Sequence, residues 1–173
     1  MSRALIVVDM LVGFLEEGRP LDCGETARAI VPFVVDKARE FTDRGDPVIF
    51  VADHHDPDDA EFERFPSHCV AGSEEAEVVP ELKPFLEERF LVRKTRFSGF
   101  FGTHLVDLLA EIKPEVVEVV GVCTNICVLY TVEELRNRDY PTIVHRDGVA
   151  SFDGQAHEFA LGQMETVLGA EVL

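Results

Sequence analysis

Short apolar runs alternate with longer amphipathic segments along most of the chain. The runs are rich in β-branched residues and are bounded by glycine, proline or charged residues, as in strands buried inside a sheet. They predict strands at residues 5–8, 47–52, 90–92, 116–120, 141–144 and 171–173. Apolar residues at helical spacing predict helices at residues 25–44, 103–112 and 153–168, with a short helix near 74–79.

Strands and helices that alternate in this way are typical of a parallel sheet covered by helices on both faces. We therefore predict an α/β fold that forms one domain over residues 1–173, a length that suits a single hydrophobic core. Two stretches lack a regular pattern, and we predict loops at residues 10–24 and 54–73. A loop as long as the second one is usually functional in a compact domain.

The apolar strand at residues 116–120 leads through a turn into another helix, which Thr124 or Asn125 can cap. The helix places Cys127 in its first turn, where free backbone N–H groups and the helix dipole favour a thiolate over a thiol. A cysteine between two apolar neighbours can also be simple core packing, and position alone does not separate the two interpretations. If one cysteine of this chain does chemistry, we expect it to be Cys127.

Three other predicted strands end on or near a residue that can take part in chemistry: Asp9, Asp53 and Lys94. The carboxyl ends of parallel strands meet at one edge of a sheet, so we expect these side chains and Cys127 to lie together. There Asp9 can take the thiol proton as a general base, while Lys94 favours the thiolate and holds the carboxylate. Backbone N–H groups in the turn from Cys123 to Cys127 can face the oxyanion of an acyl-transfer reaction.

The predicted loop after the second strand contains several residues that bind metals. Residues two apart on an extended chain face the same way, so Asp53 and His55 can share an ion to which His68 returns. Glu61 is a further candidate ligand. Such a set accepts a divalent metal ion, with zinc as the first choice and manganese or iron as alternatives. A histidine-rich acidic loop can equally be a solvated surface, so spacing alone does not decide.

Phenylalanines flank these segments: Phe14 follows Asp9, Phe65 precedes His68, and Phe97 follows Lys94. Core packing is the commoner role of a phenylalanine. Three of them beside separate site segments nevertheless suit the walls of a pocket for a flat, apolar ring. We therefore predict that these three side chains contact a substrate.

Charge and composition narrow the classes of function. The 33 acidic and 16 basic residues give a formal net charge of −17, which argues against a nucleic-acid partner and against binding to an anionic membrane. Asp9 interrupts the first apolar run, so neither a signal peptide nor a membrane span is predicted. The 4 cysteines are too unevenly spaced for a disulfide framework, and we predict a cytoplasmic protein with reduced thiols.

Several segments together resemble the isochorismatase-like cysteine hydrolases, and within them the nicotinamidases. The resemblance covers nearly the whole chain and rests on the segments ALIVVDMLVGFL, VADHH, RFPSHCVAGS, KTRFSGFFGTHL, GVCTNICV and HEFALGQMETVLGA. It implies a three-layer αβα Rossmann-like fold with a mainly parallel six-stranded sheet, and assembly into dimers or tetramers. The chain departs from the nicotinamidases at Asn125, His54 and Phe97, where aspartate, tryptophan and tyrosine respectively occur in relatives.

The resemblance also implies a catalytic triad of Cys127, Asp9 and Lys94. It further implies a cis peptide bond between Val122 and Cys123, which aims backbone N–H groups at the oxyanion, and a metal that takes the pyridine nitrogen of nicotinamide. The implied reaction converts nicotinamide to nicotinate and ammonia through a thioester on Cys127. This is a step of NAD salvage, and pyrazinamide is an expected second substrate.

Two alternatives remain open at this point. The first is a related hydrolase that shares the triad and acts on an N-carbamoyl compound, ureidoacrylate or isochorismate; the predicted metal set favours nicotinamide over these. The second is a non-catalytic metal-binding or redox protein. It would use the predicted metal ligands with Cys69, or the pair Cys123 and Cys127.

Overall fold

A parallel sheet forms the centre of the computed structural model, which describes residues 2–173. Its strands are β1 (Arg3–Val8), β2 (Val48–Asp53), β3 (Leu91–Lys94), β4 (Val116–Val122), β5 (Thr142–Ala150) and β6 (Glu171–Val172), in the spatial order β3-β2-β1-β4-β5-β6. Each neighbouring pair of these strands is parallel. Met1, the first residue of the predicted domain 1–173, lies outside the described residues.

Helices cover both faces of this sheet. On one face lie α1 (Val12–Leu15), α2 (Glu25–Ala29) and α3 (Val31–Arg44), and on the other α4 (Leu105–Ile112), α5 (Leu129–Asn137) and α6 (Gly154–Thr166). Successive residues of β4 divide between the two layers, since Val119 packs with α4–α6 and Val120 packs with α1–α3. The predicted three-layer α/β fold is confirmed. None of the helices in residues 2–173 is both long and apolar enough to cross a membrane.

The predicted helix at residues 25–44 is interrupted at Ile30, where α2 ends and α3 begins. Pro32 lies in the first turn of α3, where its missing N–H leaves no helical hydrogen bond unmade. The helix ends at Gly45, whose left-handed φ of 74° favours glycine. The prediction is therefore right about the end of the segment and wrong about its continuity.

The predicted loop at residues 10–24 contains the helical turn α1, whose residues are all buried. Gly13 suggests a flexible loop in the sequence, but in the structure it allows close packing. A Cβ atom on Gly13 would lie 2.9 Å from the Sγ atom of Cys69. The loop prediction is thus wrong for Val12–Leu15.

The long connection between β2 and β3 contains short 3₁₀ turns at Ala60–Glu63, Glu74–Ala76, Lys83–Phe85 and Glu88–Phe90. The predicted loop 54–73 therefore holds one such turn, and the predicted helix near 74–79 is reduced to 3 residues. His55 pairs with Val70 as an isolated parallel bridge. This pairing returns the end of the loop to the carboxyl edge of the sheet.

β5 continues well beyond the predicted residues 141–144. Its middle contains the polar residues 145–147, which do not resemble a buried strand in the sequence. The pairing of β4 with β5 shifts register between Val119 and Gly121, and this irregularity accommodates them. A Cβ atom on Gly121 would overlap the backbone of Val8 in β1, so this position allows no side chain. The remaining elements begin and end within a few residues of their predicted limits.

Candidate active site

Four side chains meet at the carboxyl edge of the sheet: Asp9, Asp53, Lys94 and Cys127. Asp9 directly follows β1 and has a φ of 49°, which turns the chain out of the strand. Asp53 and Lys94 are the last residues of β2 and β3 and are partners in the register of the two strands. All four side chains are buried. The structure therefore brings together the groups whose convergence the strand ends predict.

Lys94 lies at the centre of this cluster. Its Nζ atom lies 2.9 Å from Oδ2 of Asp9 and 3.5 Å from Sγ of Cys127, and it donates a hydrogen bond to Oδ1 of Asp53. Burial opposes a charged lysine, but the carboxylates of Asp53 and Asp9 outweigh it and raise the pKa of Lys94 well above its ordinary value. Lys94 is therefore an ammonium ion that links two carboxylates to the thiol.

Asp9 is arranged to accept a proton. Its Oδ1 atom accepts a hydrogen bond of 2.9 Å from the backbone N–H of Asp53, and a carboxylate oxygen lies within 4.8 Å of Sγ of Cys127. Burial and the negative charge of Asp53 raise the pKa of Asp9 to about 6, although Lys94 acts in the opposite direction. At neutral pH Asp9 is thus mainly a carboxylate with a high proton affinity, as a general base requires.

Cys127 is a thiol in this arrangement. Burial raises the pKa of Cys127 well above its ordinary value, and the carboxylates of Asp9 and Asp53 add to this effect against the favourable charge of Lys94. The residue also lies in a π-helical turn, Thr124–Val128, that precedes α5, and not in the first turn of the α-helix. The expectation of a thiolate at a helix N-terminus is therefore wrong. The sulfur keeps its proton until a base removes it.

The peptide bond between Val122 and Cys123 is cis, as the resemblance implies. The carbonyl oxygen of Cys123 accepts hydrogen bonds from the N–H groups of Ile126, at 3.0 Å, and Val128, at 3.2 Å. These bonds fix the π-helical turn on the end of β4. Cys123 and Cys127 both line the cavity described below, and their role as oxyanion donors stays a prediction.

Two side-chain contacts from neighbouring elements support the same turn. Thr124 does not cap a helix, because its hydroxyl group lies 2.8 Å from Nδ1 of His157 on α6. Asn125 does not cap one either, and its Oδ1 accepts a hydrogen bond of 2.7 Å from the hydroxyl group of Ser151. The predicted caps therefore anchor the turn to the segment that follows β5.

A second buried group lies beside the first and contains Asp53, His55 and His68. Nε2 of His55 lies 3.5 Å from Oδ2 of Asp53, and Nε2 of His68 lies 3.8 Å from the same oxygen. Glu61 is also buried, with Oε1 3.8 Å from Nε2 of His68. Among residues 2–173, His55 Nε2 and Glu61 Oε2 are buried atoms without a hydrogen-bond partner. Because orphaned buried polar atoms are costly, this donor set fits a divalent cation.

Neighbouring groups fix the other ring nitrogen of each histidine. Nδ1 of His68 lies 2.7 Å from the carbonyl oxygen of Pro66, and Nδ1 of His55 lies 3.0 Å from Oδ2 of Asp59. Asp59 is held in turn by Arg96, whose NH1 atom lies 2.8 Å from Oδ1. Contacts of this kind orient the Nε2 atoms of histidines that bind metals.

The charges of the second group depend on each other. Burial lowers the pKa of His55, but the nearby carboxylates of Asp53 and Asp59 outweigh it and raise the pKa to about 9. Burial raises the pKa of Asp53, yet the charge of Lys94 outweighs burial and holds the pKa below its ordinary value. Burial and the charge of Asp53 raise the pKa of Glu61. The group is therefore an acidic pocket that attracts positive charge.

A cavity of about 280 Å³ opens onto both groups. Its lining includes the three predicted aromatic residues together with the reacting groups: Phe14, Phe65, Phe97, Asp9, Asp53, Glu61, His68 and Cys127. The ring of Phe65 meets those of Phe97 and His68 edge-on, with centroids 6.4 Å and 6.5 Å away. Small-molecule sites have volumes of roughly 300–1,000 Å³. The cavity therefore suits one small, flat ligand.

Four further residues belong to the site but are absent from the sequence predictions. Phe62 packs its ring 5.4 Å from the rings of both predicted histidine ligands, and Asp59 orients one of them. Cys23 and Phe152 line the cavity from loops that lie far apart in the sequence. Asp59 and Phe62 fall inside the long loop whose length indicates function. Cys23 and Phe152 have no local signal, because only the folded chain brings them to the cavity.

Comparison with known proteins places this geometry in a family. A family model described as the isochorismatase domain matches residues 3–173. The crystal structure of a nicotinamidase/pyrazinamidase from Bacillus subtilis has a TM-score of 0.93 at 35% sequence identity and covers 99% of both chains. The structure of the pyrazinamidase of Pyrococcus horikoshii in complex with zinc has a TM-score of 0.91 at 28% identity, covering 100% of this chain and 99% of that chain.

A sequence relative supports the same resemblance. Nicotinamidase 1 of Arabidopsis thaliana is 35% identical over 178 residues, which cover 90% of this chain and 72% of the plant protein. The segments that carry the resemblance in the sequence all lie within residues 3–173, which the family model matches. This chain belongs to the isochorismatase family, and its resemblance to the nicotinamidases and pyrazinamidases is confirmed.

Proposed function

We propose that this protein is an amidohydrolase that converts nicotinamide to nicotinate and ammonia, with pyrazinamide as a second substrate. The observation that carries the proposal is the buried contact of Lys94 with both the Asp9 carboxylate and the Cys127 thiol at the cavity. The names of the matched relatives support this choice of substrate. We propose that the activity serves NAD salvage and that residues 1–173 act as one domain. A cytoplasmic location and assembly into dimers or tetramers stay predictions.

Acylation begins with transfer of the Cys127 proton to Asp9, whose carboxylate lies within 4.8 Å of the sulfur. The sulfur bonds to the carboxamide carbon, and the carbonyl oxygen becomes an oxyanion that faces the backbone N–H groups of Cys123 and Cys127. When this intermediate collapses, the C–N bond breaks and Asp9 gives its proton to the departing nitrogen. Ammonia leaves, and the acyl group stays on sulfur as a thioester.

Hydrolysis of the thioester uses the same groups in the opposite direction. A water molecule gives one proton to Asp9 while its oxygen bonds to the acyl carbon. The C–S bond then breaks, and the sulfur of Cys127 takes the proton from Asp9. The acid ionises to nicotinate, and the thiol and the carboxylate are both restored.

Lys94 supports both half-reactions without exchanging its proton. Its pKa is raised well above the ordinary value, chiefly through Asp53 and Asp9 acting against burial, so it stays an ammonium ion. The positive charge stabilises the thiolate that forms as Asp9 removes the proton. Its contact of 2.9 Å with Asp9 also holds the base beside the sulfur.

The residues of the second group fit a divalent cation, because two of their atoms are buried without partners and both Nδ1 atoms are fixed by neighbours. We propose that Asp53, His55 and His68 hold the ion, with Glu61 as a further ligand. Once bound, the ion supplies a Lewis acid for the ring nitrogen of a pyridine or pyrazine. Zinc is the proposed metal, with manganese or iron as alternatives, and the zinc complex of the Pyrococcus horikoshii relative supports this choice.

The aromatic lining of the cavity provides the remaining selectivity. Phe14 has its ring 5.7 Å from that of His68, and Phe65 and Phe97 form a continuous wall next to it. Such a lining favours a flat, apolar ring. We therefore propose that these residues position the ring while Asp9 and Cys127 act on the carboxamide.

Replacing the nucleophile tests the mechanism. In Cys127→Ala we expect ammonia release from nicotinamide to fall by about 10³-fold or more, because no acyl-enzyme can form. The matched control is Cys69→Ala, which removes another buried thiol that does not line the cavity. Intact-mass measurement after brief exposure to nicotinamide should show an acyl adduct that the Cys127→Ala protein lacks. A Cys127→Ala protein that retained the rate of its control would reject the mechanism.

A panel of substrates separates this function from the alternatives. Nicotinamide should be hydrolysed much faster than benzamide, which has the same shape but no ring nitrogen. Faster turnover of an N-carbamoyl compound, ureidoacrylate or isochorismate than of nicotinamide would favour the first alternative, a related hydrolase that shares the triad. Absence of any hydrolysis, together with tight zinc binding, would support the non-catalytic alternative.

A further inference from the structure

Two cysteines outside the proposed triad contact each other at the wall of the cavity. Sγ of Cys23 lies 3.2 Å from Sγ of Cys123, although the residues are 100 positions apart in the sequence. Both side chains line the cavity, as Cys127 does. The redox pair that the sequence suggests is Cys123 with Cys127, whereas the sulfur that contacts Cys123 in the structure is that of Cys23.

The two cysteines belong to segments with different constraints. Cys123 directly follows β4, and its carbonyl oxygen holds the π-helical turn through the N–H groups of Ile126 and Val128. Cys23 lies between α1 and α2 in a segment without a helix or strand. The sulfur atoms of a disulfide are about 2.05 Å apart, so this pair must approach by about 1 Å.

A small oxidant has a path to this pair, because the cavity of about 280 Å³ opens onto both residues. Cys69 provides an internal contrast. It is completely buried, does not line the cavity, and its sulfur has a contact of 3.5 Å with the carbonyl oxygen of Glu75. The structure therefore distinguishes a pair of thiols that lines the cavity from an isolated thiol that does not.

We propose that Cys23 and Cys123 form a site of reversible oxidation, at which a peroxide creates a disulfide bond that inactivates the enzyme. The Cys23 sulfur first attacks one peroxide oxygen, which gives a sulfenic acid and one water molecule. The Cys123 sulfur then bonds to the Cys23 sulfur, and the hydroxyl group leaves as a second water. Two thiols thereby lose two electrons and two protons, and one hydrogen peroxide becomes two waters.

The order of these steps follows from the surroundings of Cys123. The hydrogen bond with Cys23, together with burial, raises the pKa of the Cys123 thiol. Cys123 is consequently a poor source of the thiolate that attacks peroxide. Its sulfur already contacts that of Cys23, which suits the second, resolving step.

The disulfide acts on catalysis through the backbone of Cys123. This residue is a proposed oxyanion donor, and the chain runs directly from it into the turn that carries Cys127. A covalent bond to Cys23 pulls on Cys123 and fixes the loop before α2 against the cavity. Inactivation therefore rests on the proposed function, whereas formation of the crosslink does not.

Peptide mapping tests the crosslink independently of activity. The Cys127→Ala protein is treated with hydrogen peroxide, its free thiols are blocked with N-ethylmaleimide, and the digest is analysed by mass spectrometry. We expect a peptide pair joined through Cys23 and Cys123 that dithiothreitol separates, and no pair containing Cys69. The pair should persist when Cys69→Ser is added and disappear when Cys23→Ser is added. Full labelling of Cys23 and Cys123 after peroxide treatment, or crosslinking to Cys69, would overturn the proposal.

The effect on catalysis is measured in protein that retains Cys127. Wild type and Cys23→Ser are treated with peroxide, and each is compared with its own reduced activity toward nicotinamide. Wild type should lose most of its activity and regain it with dithiothreitol, and Cys23→Ser should retain a larger fraction. Equal losses in the two proteins would show that the disulfide does not cause inactivation. A reduced protein without amidase activity would reject the proposed function, and the peptide map would still decide the crosslink.

Discussion

Two buried clusters of charge lie on the same sheet, and they differ in how completely their polar atoms are paired. On β4, Glu118 is 1% exposed, and both of its carboxylate oxygens have partners. Oε1 accepts a hydrogen bond from Arg3, while Oε2 lies 3.1 Å from Nζ of Lys37 and 2.6 Å from Nε2 of His145. At the carboxyl ends of the strands, the cluster around Asp53 contains three buried atoms without a hydrogen-bond partner, which are Oδ2 of Asp9, Nε2 of His55 and Oε2 of Glu61, although the first forms an ion pair with Lys94.

The difference separates a cluster that stabilises the fold from one that can bind a ligand. Both carboxylate oxygens of Glu118 on β4 already contact charged or polar groups on β1, α3 and β5. The carboxylate therefore has no unpaired oxygen with which to bind a ligand. The unpaired atoms at the other cluster keep their capacity to bind a cation. That cluster also depends on one ammonium group, Lys94, to compensate the charges of Asp9 and Asp53.

The largest expected effect comes from removing that ammonium group. Lys94→Met leaves Asp9 and Asp53 buried without their shared cation, so we expect the free energy of unfolding to fall by about 3–5 kcal/mol near neutral pH. Lys37→Met is the matched change, and it should cost about 1 kcal/mol or less because Glu118 keeps its other partners. Urea unfolding of both variants in the presence of a chelator measures the difference. Equal losses would contradict the distinction between the clusters.

The next largest effect is a loss of stability at low pH that is caused by protonation of Glu118. Burial raises the pKa of Glu118, but hydrogen bonds from His145, Arg3 and Lys37 outweigh it and hold the pKa at about 2, against an ordinary value of 4.5. A pKa lowered by folding stabilises the native state above pH 4.5, and this stabilisation is lost as the pH falls toward 2. The difference corresponds to about 3 kcal/mol. Denaturant unfolding across this pH range should show a loss in wild type that is about 3 kcal/mol larger than the loss in Glu118→Gln, in which the remaining loss comes from other carboxylates such as Asp53.

The catalytic activity of Glu118→Gln serves as a control, because it tests whether the Glu118 cluster affects the candidate site. Glu118 does not line the cavity, so hydrolysis of nicotinamide by folded Glu118→Gln at neutral pH should stay close to the wild-type rate. If the variant lost as much stability at low pH as wild type, Glu118 would not be a source of the loss. If it lost activity while remaining folded, the Glu118 cluster would not be purely structural.

A smaller effect is expected from the contact that orients His55. Asp59→Asn weakens the hydrogen bond to Nδ1 of His55, and zinc affinity should fall by about 10- to 100-fold. Asp58→Asn is the matched control, since it removes the same charge from an exposed neighbouring position. Competition with a chromogenic chelator measures both affinities without reference to catalysis. Similar changes in the two variants would show that general charge, and not the contact with His55, governs binding.

The location of the main site groups could be predicted because each follows from one local pattern. Asp9, Asp53 and Lys94 close short apolar runs, and parallel strands bring such ends to one edge. Cys127 follows the central strand across a short turn, so its position is predicted in the same way. These inferences need only the order and direction of the elements.

The ionisation of Cys127 could not be predicted in that way. Its place near a helix is a local property, whereas burial and the summed charge of Asp9, Asp53 and Lys94 depend on the complete fold. The contact between Cys23 and Cys123 has the same limitation, since it joins two loops that no periodic pattern relates.

Two elements, α1 and the second half of β5, were not predicted because some of their residues do not resemble a helix or a strand in the sequence. Gly13 indicates a turn in isolation, yet in the structure it makes room for Cys69 inside α1. The polar residues 145–147 interrupt the apolar pattern of β5, but the irregular register with β4 lets the strand continue. Predicting either would require knowledge of the neighbouring chain.

Any redesign of the cavity is limited by Gly121. Even alanine there would push β1 away from β4, since the added carbon overlaps the backbone of Val8. Asp9 directly follows β1, and Cys127 lies in the turn that follows β4. The spacing between β1 and β4 therefore governs the distance between the Asp9 carboxylate and the Cys127 thiol. Libraries aimed at new substrates should therefore vary the aromatic wall and keep glycine at this position.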